Sequence, residues 1–141
     1  MFTSFTRPIE QYRQVGTATA VSQADPHQLV ILLYDGAIAA VLQARHAVAT
    51  GDVETRHSTI TKAMRIIDEG LKACVETQDG DPALGDNLRN LYQYMVARLF
   101  TANTQAVDEP LAEVLTLLGD LRSAWAAIAP ATPKGHADLQ A

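Results

Sequence analysis

Apolar positions recur along most of this chain in steps of three and four, the spacing of an α-helix with about 3.6 residues per turn. Four such stretches stand out. The first is Leu29–Ala44, LVILLYDGAIAAVLQA. The second carries Ile60, Ala63, Met64, Ile67, Leu71, Cys74 and Val75 on one stripe. The third carries Leu84, Leu88, Leu91, Tyr92, Met95, Leu99 and Ala102, flanked by Val96 and Phe100. The fourth carries Leu111, Val114, Leu118, Leu121 and Trp125. The first differs from the others. Leu29, Leu33, Gly36, Ala37, Ala40, Val41 and Ala44 form one face, and Ile31, Tyr34, Ile38 and Leu42 form a second. Only Gln28, Asp35, Gln43 and His46 mark a polar sector, so roughly three quarters of the circumference is apolar or small. A surface helix needs a stripe about 100° wide. The second face therefore predicts a cover beyond the ordinary neighbours.

The punctuation between stripes sets the boundaries. Asp25-Pro26 and Asp81-Pro82 each place a capping carboxylate before a proline at the first helical position. Asp52 caps after Gly51, and Asp108-Glu109-Pro110 is a looser version of the same signal. Gly51 and Gly80 suit left-handed helix ends. The pattern predicts helices over about 26–50, 53–78, 82–106 and 109–129, the last stopped by Pro130. Short connections make successive helices antiparallel. The predicted fold is all-α: an antiparallel up-down four-helix bundle over 25–130, an N-terminal arm over 1–24 and a tail over 131–141. The arm has Phe2, Phe5, Ile9, Tyr12 and Val15 at helical spacing, interrupted by Pro8 and Gly16. The tail lacks apolar periodicity.

Composition narrows the function. The chain of 141 residues suits one core. A net charge of −5, with its 11 Lys and Arg scattered, argues against a nucleic-acid partner. One cysteine, Cys74, allows no intramolecular disulfide and suits a reducing compartment. The start lacks a signal-peptide pattern, and Asp35 breaks the longest apolar run below the span of about 20 residues that a bilayer takes. A cytoplasmic location without membrane insertion is the expectation.

Candidate chemistry is thin. A di-iron bundle needs two Glu-x-x-His sets; Glu54-Thr55-Arg56-His57 matches once, at a helix start where a glutamate already favours the positive dipole end. His46 and His57 lack a phosphate-binding arrangement around them, and Cys74 sits on an apolar stripe with no histidine near it in the helix. Neither a metal, a cofactor nor a catalytic residue is assigned. Gly36, with Ala37 and Ala40, makes a shallow patch for close backbone approach, either inside the bundle or toward a partner, and Gly70 admits the same two readings. Asp35 either faces solvent or pairs with a basic residue such as Arg98. Asn103 ends the third stripe on its apolar side, where its amide needs partners from a helix end or from a docked backbone.

Two covers suit the second face of the first helix: the arm folding back in cis, or an amphipathic or extended segment of another protein. Both hold if the partner displaces the arm. The competing class is a structural bundle whose second face pairs with its own copy.

The ordered motifs Leu33-Tyr34-Asp35-Gly36-Ala37-Ile38, Lys62-Ala63, Ile66-Ile67, Gly70-Leu71, Asn87-Leu88, Leu91-Tyr92, Tyr94-Met95, Arg98-Leu99, Ala102-Asn103 and Ala124-Trp125, with Tyr12, Val15 and Ala20 upstream, resemble the FliS family of flagellin-specific export chaperones. The resemblance covers about residues 10–128. It implies a cytoplasmic bundle that binds the disordered C-terminal segment of flagellin. Binding would prevent premature polymerisation and assist type III export, with the export gate as a second contact. It also implies an arm that occupies part of the groove until flagellin replaces it. A homodimer in the absence of flagellin remains open. On this reading the partner-binding residues are Tyr12, Ile31, Tyr34, Asp35, Gly36, Ile38 and Leu42, with Ile60, Met64, Ile67, Tyr94 and Asn103 added.

Overall fold

A computed structural model describes residues 25–76 and 80–128; the arm, with Tyr12, and the tail lie outside the described residues. Four helices follow one another, and no strand occurs among the described residues. Helix α1 spans Pro26–Thr50, α3 spans Pro82–Gln105 and α4 spans Glu109–Ala127. Helix α2 is one rod in three parts: Val53–Arg65, a π-helical turn Ile66–Leu71, and Lys72–Glu76. Around the bundle α1 packs on α2 and α4, and α3 packs on the same two. The bounds follow the predicted ones closely.

The caps explain why. Asp25 accepts from the Gln28 amide at 2.8 Å, Asp52 from that of Thr55 at 3.1 Å, and Asp81 from that of Ala83 at 3.0 Å. Each carboxylate satisfies an amide that the first turn would leave without a partner. Asp108 holds the N-cap position of α4 but makes no cap bond; its carboxylate takes Arg45 of α1 instead, at 2.8 and 2.9 Å. Gly51 closes α1 in the left-handed region, φ 73°. Gly80 does not play that part: among the described residues the other positive φ belongs to Ala106, at 52°, which ends α3.

The π turn has a cause in the stripe of α2. Ala63, Ile67 and Leu71 are buried, and Val75 is half-buried beyond them. Steps of four overshoot a straight α-helix by roughly 40° each. One wider turn takes up that surplus and keeps Leu71 and Val75 facing inward. Gly70 lies within this turn. A Cβ there would meet Leu33 Cδ2 at 3.2 Å, so the bare glycine lets α2 approach α1. Of the two readings for Gly70, packing inside the bundle is the observed one.

The core runs through Leu33, Tyr34, Ala37, Ala40, Val41 and Ala44 of α1, Ile60, Ile66 and Ile67 of α2, Tyr92, Met95 and Leu99 of α3, and Leu111, Val114 and Leu118 of α4. Helix α1 is, at 25 residues, long and apolar enough by length and composition to cross a membrane, which the reading of a run broken at Asp35 did not allow. Its small residues instead form the bundle's centre: Ala37, Ala40, Ala44 and Ala47 are at most 2% exposed. Alanines there let both neighbours come close.

Candidate functional site

The second face of α1 is covered mainly by a sister helix. Arg122 of α4 donates to Asp35 at 2.5 Å, and Arg45 grips Asp108, so α4 is tied along that flank at two points. Between the ties Ile38 is half-buried and packed on the core, and Ile31 is half-buried as well. Leu42 remains 50% exposed, beside a shallow depression of about 410 Å³ that also involves Arg45, His46 and Val48. The expected surplus is therefore largely absorbed within the bundle. Asp35 does pair across the bundle, but with Arg122. Arg98 is engaged by Glu113 at 2.7 Å.

Three expected partner-binding residues are core instead. Tyr34, Ile60 and Ile67 are 0% exposed and present nothing to a visitor. Tyr34 sits between the two faces of α1, where a rotation of a few tens of degrees decides its side, and its hydroxyl pairs with that of Tyr92 at 2.6 Å. Burial first, then the neighbouring Tyr92, holds the Tyr34 hydroxyl far above the ordinary tyrosine range, against a smaller opposing pull from the Trp125 indole N–H. Burial likewise pushes up Tyr92 and the thiol of Cys74. A raised thiol is the opposite of what a nucleophile needs.

Gly36 is half-buried on α1, and Met64 is half-buried against the core. Tyr94 is exposed, but its hydroxyl donates to Glu113 at 2.5 Å. That bond first, and then Arg98, holds the Glu113 carboxyl below its ordinary value. Asn103 bridges helices: its Oδ1 accepts from Arg56 Nε at 3.2 Å, and its Nδ2 lies 3.1 Å from His57 Nδ1. Among the described residues no group of three or more His, Cys, Asp or Glu side chains is placed to hold a metal.

The more open apolar surface lies where the sequence placed only stripe ends. A groove of about 480 Å³ is lined by Val75 of α2, Leu84 and Leu88 of α3, Leu121 and Trp125 of α4, and Ile128. Leu84 is 57% and Ile128 54% exposed; the other four are half-buried. Polar groups at its edge are few, Asp81 and Arg89 among them. The groove exists because the bundle is packed unevenly. The first fully buried residue of α3 is Tyr92, and the last of α4 is Leu118, so toward the start of α3 and the end of α4 the stripe residues Leu88, Leu121 and Trp125 pack on the core but are only partly covered. At this end α1 begins, and His27 Nε2 donates to the Trp125 carbonyl at 2.5 Å, its ring 5.7 Å from the indole. The missed signal was positional. Leu84 opens its stripe and Trp125 closes its own, and helix ends are where neighbours leave side chains half covered.

Such a groove suits an apolar helix face or an extended apolar segment, and offers no group placed for bond-making chemistry. The family model described as flagellar protein FliS matches residues 8–132. A flagellar secretion chaperone FliS of Salmonella typhimurium is 40% identical over 122 residues, covering 86% of this chain and 90% of that protein. FliSB of Pseudomonas aeruginosa, also a flagellar secretion chaperone, is 38% identical over 119 residues, 84% of this chain and 93% of its own. The FliS of Bacillus subtilis is 30% identical over 118 residues, 84% of this chain and 83% of its own.

Proposed function

The chain belongs to the FliS family of flagellar proteins, and from that premise we propose that it is a cytoplasmic export chaperone for flagellin. It binds the disordered C-terminal segment of flagellin, prevents premature polymerisation and hands the subunit to the type III flagellar export gate. The observation that supports this reading is the apolar groove of Val75, Leu84, Leu88, Leu121, Trp125 and Ile128 on a chain of a secretion-chaperone family. The arm over 1–24 covers apolar surface until flagellin replaces it. It joins α1 at Asp25, two residues before His27, and His27 touches the groove residue Trp125.

The energetics favour a long wrapped segment. Ordering a disordered chain costs about 4 kcal/mol. At about 25 cal/mol per Å² of apolar area, burial of about 160 Å² offsets that. Burial in the groove works against that cost, and contacts along the rest of the bundle, Leu42, Met64 and Asn103 among them, set the affinity. Release by competition at the export gate needs no nucleotide.

Calorimetry with the flagellin C-terminal peptide tests the reading. The expected result is saturable binding with a negative heat-capacity change. A peptide that does not bind the full chain overturns the proposal.

A further inference from the structure

The indole of Trp125 sits on the part of α4 that the core holds least. Leu118 is the last fully buried residue of that helix, and Trp125 follows about two turns later. Polar ties to α1 hold this stretch. Arg122 pairs with Asp35, and His27 Nε2 donates to the Trp125 carbonyl at 2.5 Å. The last carbonyls of a helix have no partner within it, and Trp125 carries one of them. One lone pair takes the Ile128 N–H of the closing turn at 3.2 Å, and the second takes His27. A carbonyl only accepts, so Nε2 must carry the proton. The same imidazole packs against the indole, with centroids 5.7 Å apart and planes tilted by 52°. His27 does not itself line the groove. It stands on a first turn already fixed by Pro26 and by the Asp25 cap, so the donor starts from a settled backbone.

We propose that His27 is a positioning residue for the groove: from the first turn of α1 it caps the C-terminal turn of α4, and so holds Trp125 where the indole walls the groove. It acts through Trp125 and touches no ligand. Donor and ring do different work. The N–H satisfies a carbonyl that a loosened helix end would turn to water, and the ring limits the rotation of the indole. Without the N–H the last turn of α4 frays more readily, and Trp125 and Ile128 leave the wall together because one turn carries both. The Asp35–Arg122 pair lies about a turn earlier and keeps the rest of α4 docked, so the loss is confined to that wall. The link from the wall to peptide affinity rests on the export reading; the hold on Trp125 does not.

The test separates donor from ring in the full chain. His27→Gln keeps an N–H at similar reach without the ring, His27→Phe keeps a ring without the donor, and His27→Ala removes both. Trp125 is the only tryptophan of the chain, so acrylamide quenching of its emission under native conditions reads its exposure directly. Quenching is expected to rise in His27→Phe, to rise further in His27→Ala, and to stay near the native value in His27→Gln. Affinity for the flagellin C-terminal peptide, by calorimetry, is expected to fall about fivefold in His27→Phe, the worth of one hydrogen bond, and less than about twofold in His27→Gln. A residue that only stabilises the fold would leave the quenching of the folded protein unchanged in all three. That result overturns the proposal, as does His27→Gln lying no closer to native than His27→Ala, or raised quenching with native affinity. A peptide that fails to bind the native chain overturns the export reading instead, and quenching alone then decides the role of His27.

Discussion

The hydroxyls of Tyr34 and Tyr92 form the most deeply buried polar contact described, 2.6 Å apart between residues at most 1% exposed. Removing one hydroxyl leaves the other without its partner, which costs about 1–3 kcal/mol, whereas replacing both with apolar groups costs much less than the sum. Tyr92→Phe is thus expected to destabilise by about 2 kcal/mol in urea unfolding, and Tyr34→Phe/Tyr92→Phe by less than the two single changes together. The same pair sets an alkaline limit. Both hydroxyls are held above their ordinary value chiefly by burial, so the unfolded chain loses these protons first as pH rises. Stability is intact below about pH 10 and declines above it, and the double Phe variant is expected to lose much of that decline. Residue by residue, the sequence showed what is local. Asp25, Asp52 and Asp81 were readable as caps because each acts within three residues. The Asp35–Arg122 and Arg45–Asp108 pairs were not, since they join residues 87 and 63 apart and nothing in either local pattern names its partner.

Helix α2 shows how much an element can hide beneath correct boundaries. Its predicted stripe was right, yet the steps from Ala63 to Ile67 to Leu71 to Val75 are all of four, and a straight α-helix drifts by roughly 40° at each. That drift was visible in the sequence, and the π turn Ile66–Leu71 is its consequence. If the turn exists to absorb one surplus residue, deleting an exposed residue inside it should let it close as an α-helix with Leu71 and Val75 still facing the core. Deleting Glu69 is accordingly expected to shift the urea midpoint only slightly. Deleting Thr61, in the regular α part, rotates every later residue by about 100° relative to the core and is expected to unfold the protein. Equal damage from both deletions would remove the surplus-residue account. Helix α1 taught the opposite lesson. Its excess apolar circumference was real, but periodicity on one helix cannot say which neighbour lies on which flank. Only the assembled bundle shows α4 along the second face, with Tyr34 turned fully inward.

Taken as one body, the bundle exposes large apolar side chains at both ends, Leu42, Val53 and Phe100 toward one and Leu84 and Ile128 toward the other, and how they are gathered decides where a partner gains most. Leu42 offers a single exposed side chain over a shallow depression. The groove at the opposite end gathers several large side chains around Trp125, the only tryptophan of the chain, and aromatic anchors of this kind dominate docking energetics. Leu84 is the sharpest probe of it, since at 57% exposure it contributes little to the fold. Leu84→Glu is expected to change stability by less than about 0.5 kcal/mol. Placing a carboxylate where an apolar segment must be desolvated is expected to cut affinity for the flagellin C-terminal peptide at least about tenfold. Trp125 reports on the same event from within: its emission should shift when peptide fills the groove of the native protein, and should not shift at the same peptide concentration in Leu84→Glu. A variant with native affinity would move the docking surface away from this end, toward Leu42 and the α1–α4 flank. Leu42→Glu would then be the substitution that abolishes binding, and the uneven packing of the bundle would need another explanation.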